Sequence, residues 1–299
     1  MDPEKEPSVS AVQHPFPEVR KVQLALLRML KSVDAICRRH SLSYWLDGGT
    51  LLGAVRHLGF IPWDDDLDIV MPRGDYERFL RVAQQELPED LLLQTRDIDP
   101  DYAIYQVPSK IRERASVELE HQSDERGVEW GIYLDIIPID KYRISGVGGI
   151  TDFLAKYLYR RLCGINASRR KSGAGFKLHV NNVLARCKHL IRSEQLVEAY
   201  RKALRSRIGR NEMLTRDYRL GYSFDSLWIR FFTPDDIYPL REAEFEDGSF
   251  PVPANCDAVL KVFYGSDYMT LPEASRRLPR NLKLAADVAA DAMGDTPQA

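Results

Sequence analysis

Histidine and cysteine are scarce in this chain, at six and four of 299 residues. The cysteines, Cys37, Cys163, Cys187 and Cys256, stand far apart, so there is neither a zinc-type CxxC pair nor a disulfide framework. A reduced, cytoplasmic compartment is the expectation. No run reaches the roughly 18 apolar residues a spanning helix needs. The polar, proline-bearing stretch from Met1 to Pro17 lacks the apolar centre of a secretory signal. A net charge of only −2 argues against a whole-protein nucleic-acid binder, and no nucleic acid is expected as a partner. The composition is 44% hydrophobic and 29% charged, that of a soluble globular protein with chain enough for one large domain or two small ones.

Residues 1–16 read as a disordered tail. Val19, Val22, Leu26, Met29, Leu30, Val33 and Ile36 recur at helical spacing and predict a helix over 18–40. Residues 44–46 read as a short strand entering the turn Asp47-Gly48-Gly49-Thr50. A short helix over 51–57, closed by Gly59, and a strand over 67–71 follow. Asp75 is the expected N-cap of a helix over 76–87. Strands are expected near 102–107 and 110–113, and an apolar one over 132–137 that Pro138 ends. Beyond Leu214 the chain reads as loop-rich, with turns at 233–240 and 250–253. A helix over 256–264 is stopped by Gly265, and 285–299 form a flexible tail. The alternation of strands and helices over 18–140 predicts an α/β or α+β core.

Residues 151–210 stand apart. They carry fifteen Lys or Arg against Asp152, Glu194 and Glu198, a surplus of +12 that leaves −14 for the rest. The segment reads as helical with a break at Ser172-Gly173-Ala174-Gly175. Two readings stay open: a solvated helical insert, or a surface for anionic lipid, polysaccharide or nucleic acid.

The densest chemistry lies in Trp63-Asp64-Asp65-Asp66-Leu67-Asp68-Ile69. In an extended chain, residues i and i+2 point the same way about 6.6 Å apart, so Asp66 and Asp68 can reach one ion. Carboxylates held this close repel each other unless a cation is present. Hard oxygen donors without histidine or thiolate select Mg²⁺ or Mn²⁺. Apolar segments on both sides set this run apart from an ordinary solvated acidic turn. Asp135 is the sole charge in Gly131-Ile132-Tyr133-Leu134-Asp135-Ile136-Ile137-Pro138, and a lone buried Asp needs a partner or a metal. It is the candidate third ligand. Asp140 reads as structural.

Gly48 and Gly49 allow close approach of the backbone to a ligand, and N–H groups at a helix start attract phosphate. Thr50 can donate to a phosphate oxygen or cap the helix. Arg56 and His57 follow, with His57 by default an ordinary loop histidine. Lys110 and Arg112 are charge partners for a diphosphate, or residues of a solvated strand end.

Together, residues 46–57 (LDGGTLLGAVRH) and 59–68 (GFIPWDDDLD) closely resemble the signature of the LicD family, the bacterial phosphorylcholine transferases with the fukutin-related proteins as distant relatives. Residues 130–140 resemble that family's second block. Residues 236–240, 245–247 and 264–272 resemble its C-terminal block. The resemblance implies one catalytic domain over 17–284 with a nucleotidyltransferase-like mixed sheet flanked by helices and a basic helical insert at 151–210. It implies roles for Gly48, Gly49, Asp66, Asp68 and Asp135, a donor such as CDP-choline or CDP-ribitol, and a surface glycan or its lipid-linked precursor as acceptor. In that scheme Asp66, Asp68 and Asp135 hold Mg²⁺ or Mn²⁺, the Gly48-Gly49-Thr50 turn holds phosphate, and Asp64 or Asp135 accepts the proton of the attacking hydroxyl. Arg56 and Lys110 join them at the donor. A cationic cargo would want aromatic walls, for which Trp63, Tyr133, Trp228 and Tyr264 are available. The rivals are a nucleotidyltransferase that leaves the nucleotide on its acceptor, and a non-catalytic module that binds membrane or polyanion through 151–210.

Overall fold

The computed structural model describes residues 15–95, 97–98, 107–115, 132–144, 146–167, 194–226 and 230–279, with 160–167 and 194–196 as backbone. The tails, most of the strand expected near 102–107, the break at 172–175, Trp130, Gly131 and Trp228 lie outside them.

Helix α1 (Pro17–His40) opens with Pro at its first position and ends at Ser41, which takes the left-handed conformation (φ 50°) and donates to Arg38 O. Its periodic residues Leu26, Met29, Leu30 and Val33 are buried in the main core. Strand β1 (Trp45–Leu46), helix α2 (Gly48–His57), strand β2 (Asp68–Pro72) and helix α3 (Arg73–Glu86) follow. Then come β3 (Leu91–Thr95), β4 (Ser109–Glu113) and the long β5 (Tyr133–Arg143). Helices α4 (Gly146–Ala167) and α5 (Glu194–Gly209), with a short 3₁₀ turn (Arg210–Met213), form the described part of the insert. The chain closes with β6 (Tyr218–Tyr222), β7 (Phe231–Phe232), α6 (Pro234–Ile237), β8 (Arg241–Phe245), β9 (Gly248–Val252) and α7 (Cys256–Tyr264).

Seven strands form one mixed sheet in the order β1-β2-β5-β4-β3, with β6 on β5 and β7 on β6; β8 and β9 form a separate hairpin. The pair β2–β5 is parallel and the other pairs are antiparallel. The expected mixed α+β class is what the chain adopts. Among the described residues, no helix is long and apolar enough to cross a membrane.

Several local expectations need correction. The glycine pair does not precede α2 but forms its first turn, and Leu58 (φ 55°), not Gly59, closes it. Gly59 instead leaves room for Glu246, whose Oε1 would lie 2.6 Å from a Cβ there. Asp75 is not the N-cap of α3: the helix starts at Arg73, because that guanidinium is drawn inward to Asp140. Asp75 lies in the first turn and accepts from Ser43 N at 3.2 Å. Pro138 does not end its strand. β4 pairs with β5 as far as Ile136 and β6 takes over at Ile139, so the missing N–H falls between the two ladders. Asp140 is structural as expected, but inside the strand. The region after Leu214 is strand-rich, and Phe250-Pro251-Val252 belongs to β9.

Where the insert is described, three of its arginines are paired with acids, while Lys202 and Arg210 are exposed. Arg201 pairs with Asp97 and Glu198, Arg205 with Glu77, and Arg207 with Asp152.

Candidate active site

The acid run reaches β2 with strict alternation: Asp65, Leu67 and Ile69 are buried, while Asp64, Asp66 and Asp68 are half-buried on the other side. This is the period-two pattern of an extended chain, and it gathers three carboxylates on one face. The parallel register then sets Asp68 beside Asp135 on β5, and the antiparallel register sets Asp135 beside Lys110 on β4. Asp68, Asp135 and Lys110 therefore form a row across three adjacent strands.

Buried polar contacts hold this row in place. Asp135 N donates to Leu67 O at 2.9 Å, and Asp47 N donates to Asp68 O at 3.1 Å. Thr50 Oγ1 accepts from Asp68 N at 2.9 Å, which corrects the expected capping role: its oxygen fixes the acid strand and caps no helix. Gln23 on α1 donates to Ile61 O (3.1 Å) and Asp64 O (2.9 Å), anchoring the loop before the strand. Arg20 grips Glu246, which in turn accepts from Phe60 N at 3.1 Å.

The glycines are required by the carboxylates themselves. Gly48 has φ 51°, and a Cβ on it would stand 3.3 Å from Asp68 Oδ2. On Gly49 a Cβ would stand 2.7 Å from Asp64 Oδ2 and 4.0 Å from the Tyr264 hydroxyl. The turn thus lies directly against the acids it was expected to face.

Burial and the charges of Asp66, Asp135, Asp47 and Asp64 push the Asp68 carboxyl well above the usual carboxylate range. Asp47, 2% exposed, is pushed up to about 6 by burial, opposed by the hydroxyl of Tyr222 that it accepts and by Gly48 N–H. Burial followed by Asp64, Asp47, Asp68 and Asp66 raises the Tyr264 phenol. Five aspartates thus act on one another at the mouth of α2, with Tyr222 and Tyr264 beside them. Asp47 and Tyr222 escaped the sequence reading. Asp47 could have been noticed as the residue before Gly48-Gly49; Tyr222 lies 175 residues away and carries no local signal.

Lys110 is 5% exposed, with Nζ 3.3 Å from Asp135 Oδ1 and 3.5 Å from the Tyr133 ring centroid. The solvated-strand reading of Lys110 and Arg112 is thereby overturned, since Arg112 is buried too and donates to Gln94 at 3.4 Å. Arg56, at the end of α2, donates to Tyr268 O at 2.8 Å and Thr270 O at 3.4 Å, and burial lowers its proton affinity. His57 meets the Trp63 ring edge-on at 6.3 Å, and Arg277 lies over Trp63 at 5.7 Å. Among the aromatic candidates, Tyr133 already holds the protein's own lysine, whereas Tyr264 stands next to the acids.

The donor set is all oxygen, which suits a hard divalent cation. Mutual repulsion around Asp68 is the imbalance that such an ion relieves. Among the described residues no three His, Cys, Asp or Glu side chains converge closely enough to form a finished cage, and Lys110 supplies positive charge at Asp135. The chemistry of the residues fits the ion, and Asp66, Asp68 and Asp135 are the ones that would hold it.

Residues 41–130 match the family model described as LicD/FKTN/FKRP, nucleotidyltransferase domain. This stretch is similar to the LicD family. It contains the glycine turn and the acid run, and it stops before β5, so Asp135 and the C-terminal block lie beyond the match. The chain is 48% identical over 79 residues to the lipopolysaccharide cholinephosphotransferase LicD of Haemophilus influenzae, covering 26% of this chain and 30% of that protein. It is 44% identical over 45 residues to the human ribitol 5-phosphate transferase FKRP, covering 15% and 9%. An uncharacterised protein of Rickettsia typhi is 44% identical over 65 residues, covering 22% and 21%. The chain therefore matches less than a third of the length of these relatives.

Proposed function

We propose that this protein transfers a phospho-alcohol, phosphocholine first of all, from a CDP-linked donor to a hydroxyl of a cell-surface glycan or its lipid-linked precursor. The observation that carries this reading is the row Asp68–Asp135–Lys110 with Asp64 and Asp66 on the same side, lying against the glycine turn of a segment similar to the LicD family. The names of LicD and FKRP both denote transfer of a phosphorylated alcohol, and they supply the reaction class. The reading is of a cytoplasmic enzyme, at most peripheral to a membrane.

In this scheme Asp66, Asp68 and Asp135 hold Mg²⁺ or Mn²⁺. Bound there, the ion neutralises charge on the diphosphate and on the departing CMP. Gly48 N–H is taken by Asp47, so it is the N–H of Gly49 that the N-terminus of α2 offers the phosphates. Lys110 pairs with Asp135 at 3.3 Å, and Arg56 adds positive charge at the rim. The sugar hydroxyl oxygen forms a bond to the phosphorus bearing the alcohol while the bond from that phosphorus to the CMP oxygen breaks. The proton of the hydroxyl goes to a carboxylate. Asp64 is better placed for this than Asp135, because Asp135 faces Lys110 while Asp64 lies beside Gly49 and Tyr264. The test is CMP release from CDP-choline with Mg²⁺ and a crude glycan acceptor, for wild type and Asp68→Ala. CMP release abolished by EDTA and by the substitution supports the proposal. Silence with CDP-choline, CDP-ribitol, CDP-glycerol and CDP-ethanolamine, together with consumption of CTP or ATP and release of pyrophosphate, replaces it with nucleotidyl transfer.

A further inference from the structure

Helix α4 is amphipathic in the reverse sense. Its inward side carries polar and charged groups. Asp152 accepts from Arg207 Nε (2.9 Å) and Asn211 Nδ2 (2.8 Å), and Lys156 donates to the carbonyls of Tyr222 and Ser223. Both side chains are almost fully buried, as is Tyr159. Its outward side carries Val147, Ile150, Phe153, Leu154, Tyr157 and Leu158, with Val147 77% and Ile150 71% exposed. The spacing of 147, 150, 154, 157 and 158 is one continuous helical stripe. A surface helix in water normally turns such a stripe to the core, and apolar patches of this kind mark an interaction surface.

The charge of the chain that continues from the stripe selects its occupant. The chain that continues from α4, residues 168–193, holds seven Lys or Arg and no Asp or Glu. Of the described arginines of α5, Arg201 is buried against Glu198 and Asp97, while Arg205 and Arg207 are partly exposed and pair with Glu77 and Asp152, so most of the surplus belongs to the stretch that follows the stripe in sequence. An apolar helix face continued in sequence by a cationic stretch suits anionic lipid, whose headgroup boundary takes aliphatic side chains and whose phosphates attract cations. We propose that the α4 stripe is the face by which this protein lies on an anionic membrane surface. The inference narrows the expected surface over 151–210 to one face of one helix, and it stands independently of the transfer chemistry.

The test is co-sedimentation of the full chain with vesicles of phosphatidylcholine alone or mixed with phosphatidylglycerol. Ile150→Asp/Leu154→Asp is compared with wild type, and Val147→Asp serves as a second, milder variant. Binding to the anionic vesicles only, weakened about ten-fold or more in both variants with unchanged thermal melting, supports the proposal. Wild type that stays in the supernatant with anionic vesicles overturns it. So does binding that survives both variants, which would leave the basic stretch alone as the contact. A wild-type dimer in light scattering that the variants dissociate, without vesicle binding, assigns the stripe to a second copy instead. CMP release from a soluble donor is expected to be unchanged in the variants, so failure here and failure of the transferase reading are distinct.

Discussion

Asp135 and Asp140 lie five residues apart on β5, an odd spacing that turns them to opposite faces of the sheet. On one face, Asp140 receives both Nε (2.8 Å) and Nη2 (3.2 Å) of Arg73 and the backbone N–H of Phe224 (3.1 Å). Burial would push the neighbouring Asp225 upward, but Arg73, Ser223 and Arg201 outweigh it and hold its carboxyl below the usual range. On the other face, Asp135 joins Asp68 and three further aspartates, with Lys110 beside them, and the Asp68 carboxyl is forced up. One face is an internally neutralised buried ion pair, which is a device of structure. The other carries excess negative charge that the protein does not fully answer, which is what a cation site requires.

Four experiments press on that contrast. The largest effect is expected at the neutralised face. Asp140→Ala leaves the Arg73 guanidinium buried without its main partner and should destabilise the fold by about 3–5 kcal/mol in urea unfolding. A loss under 1 kcal/mol would make the two faces equivalent. At the other face, Asp68→Asn should lower CMP release by roughly 10²–10³-fold while leaving stability equal or higher in metal-free buffer, because it removes a charge that its neighbours repel. Joint loss of stability and activity would turn Asp68 into a structural residue.

Third, the acid cluster should give the metal-free protein a characteristic pH dependence. Asp47, at about 6 in the fold, has a carboxyl raised above its unfolded value near 3.8. The folded state therefore holds the proton more tightly. The stabilisation from this linkage is fully present below the unfolded value and is lost as pH rises through about 6. The groups facing Asp47 are Tyr222, Gly48 N–H, Arg230 and Asp68. Metal-free protein should be about 1–2 kcal/mol more stable at pH 5 than at pH 7.5, and Mg²⁺ should erase most of that difference. A flat profile without metal would contradict the crowding. The smallest effect is at the turn. Gly49→Ala forces Asp64 aside from 2.7 Å, and should cost about 1 kcal/mol of stability and roughly ten-fold in activity. Activity equal to wild type would show that Asp64 need not stand where it does.

Much of this was legible locally. The periodicity of α1, the two glycines, the acid run and the mixed class all follow from patterns within a few residues, and each is where the sequence set it. The errors are equally local. Pro138 reads as a strand stop because its missing N–H is costly inside a ladder, and only the hand-over from β4 to β6 makes it harmless. Gly59 reads as a helix cap because glycine tolerates positive φ, but its use is to admit Glu246 from the distant β8–β9 hairpin. Thr50 reads as a helix cap, but its oxygen instead reaches the N–H of Asp68 on β2.

The sequence by itself determined the identity of the acids and their alternation, because the two-residue period of an extended chain acts at short range. It also determined the closeness of the glycine turn to them, since few residues intervene. Tertiary structure decided which acids share a face with a cation. Strand register brought Asp135 to Asp68, Lys110 to Asp135 and Tyr222 to Asp47, and turned Asp140 away to Arg73. Register is a property of pairing between distant segments, fixed by burial of both faces at once, and no local pattern contains it.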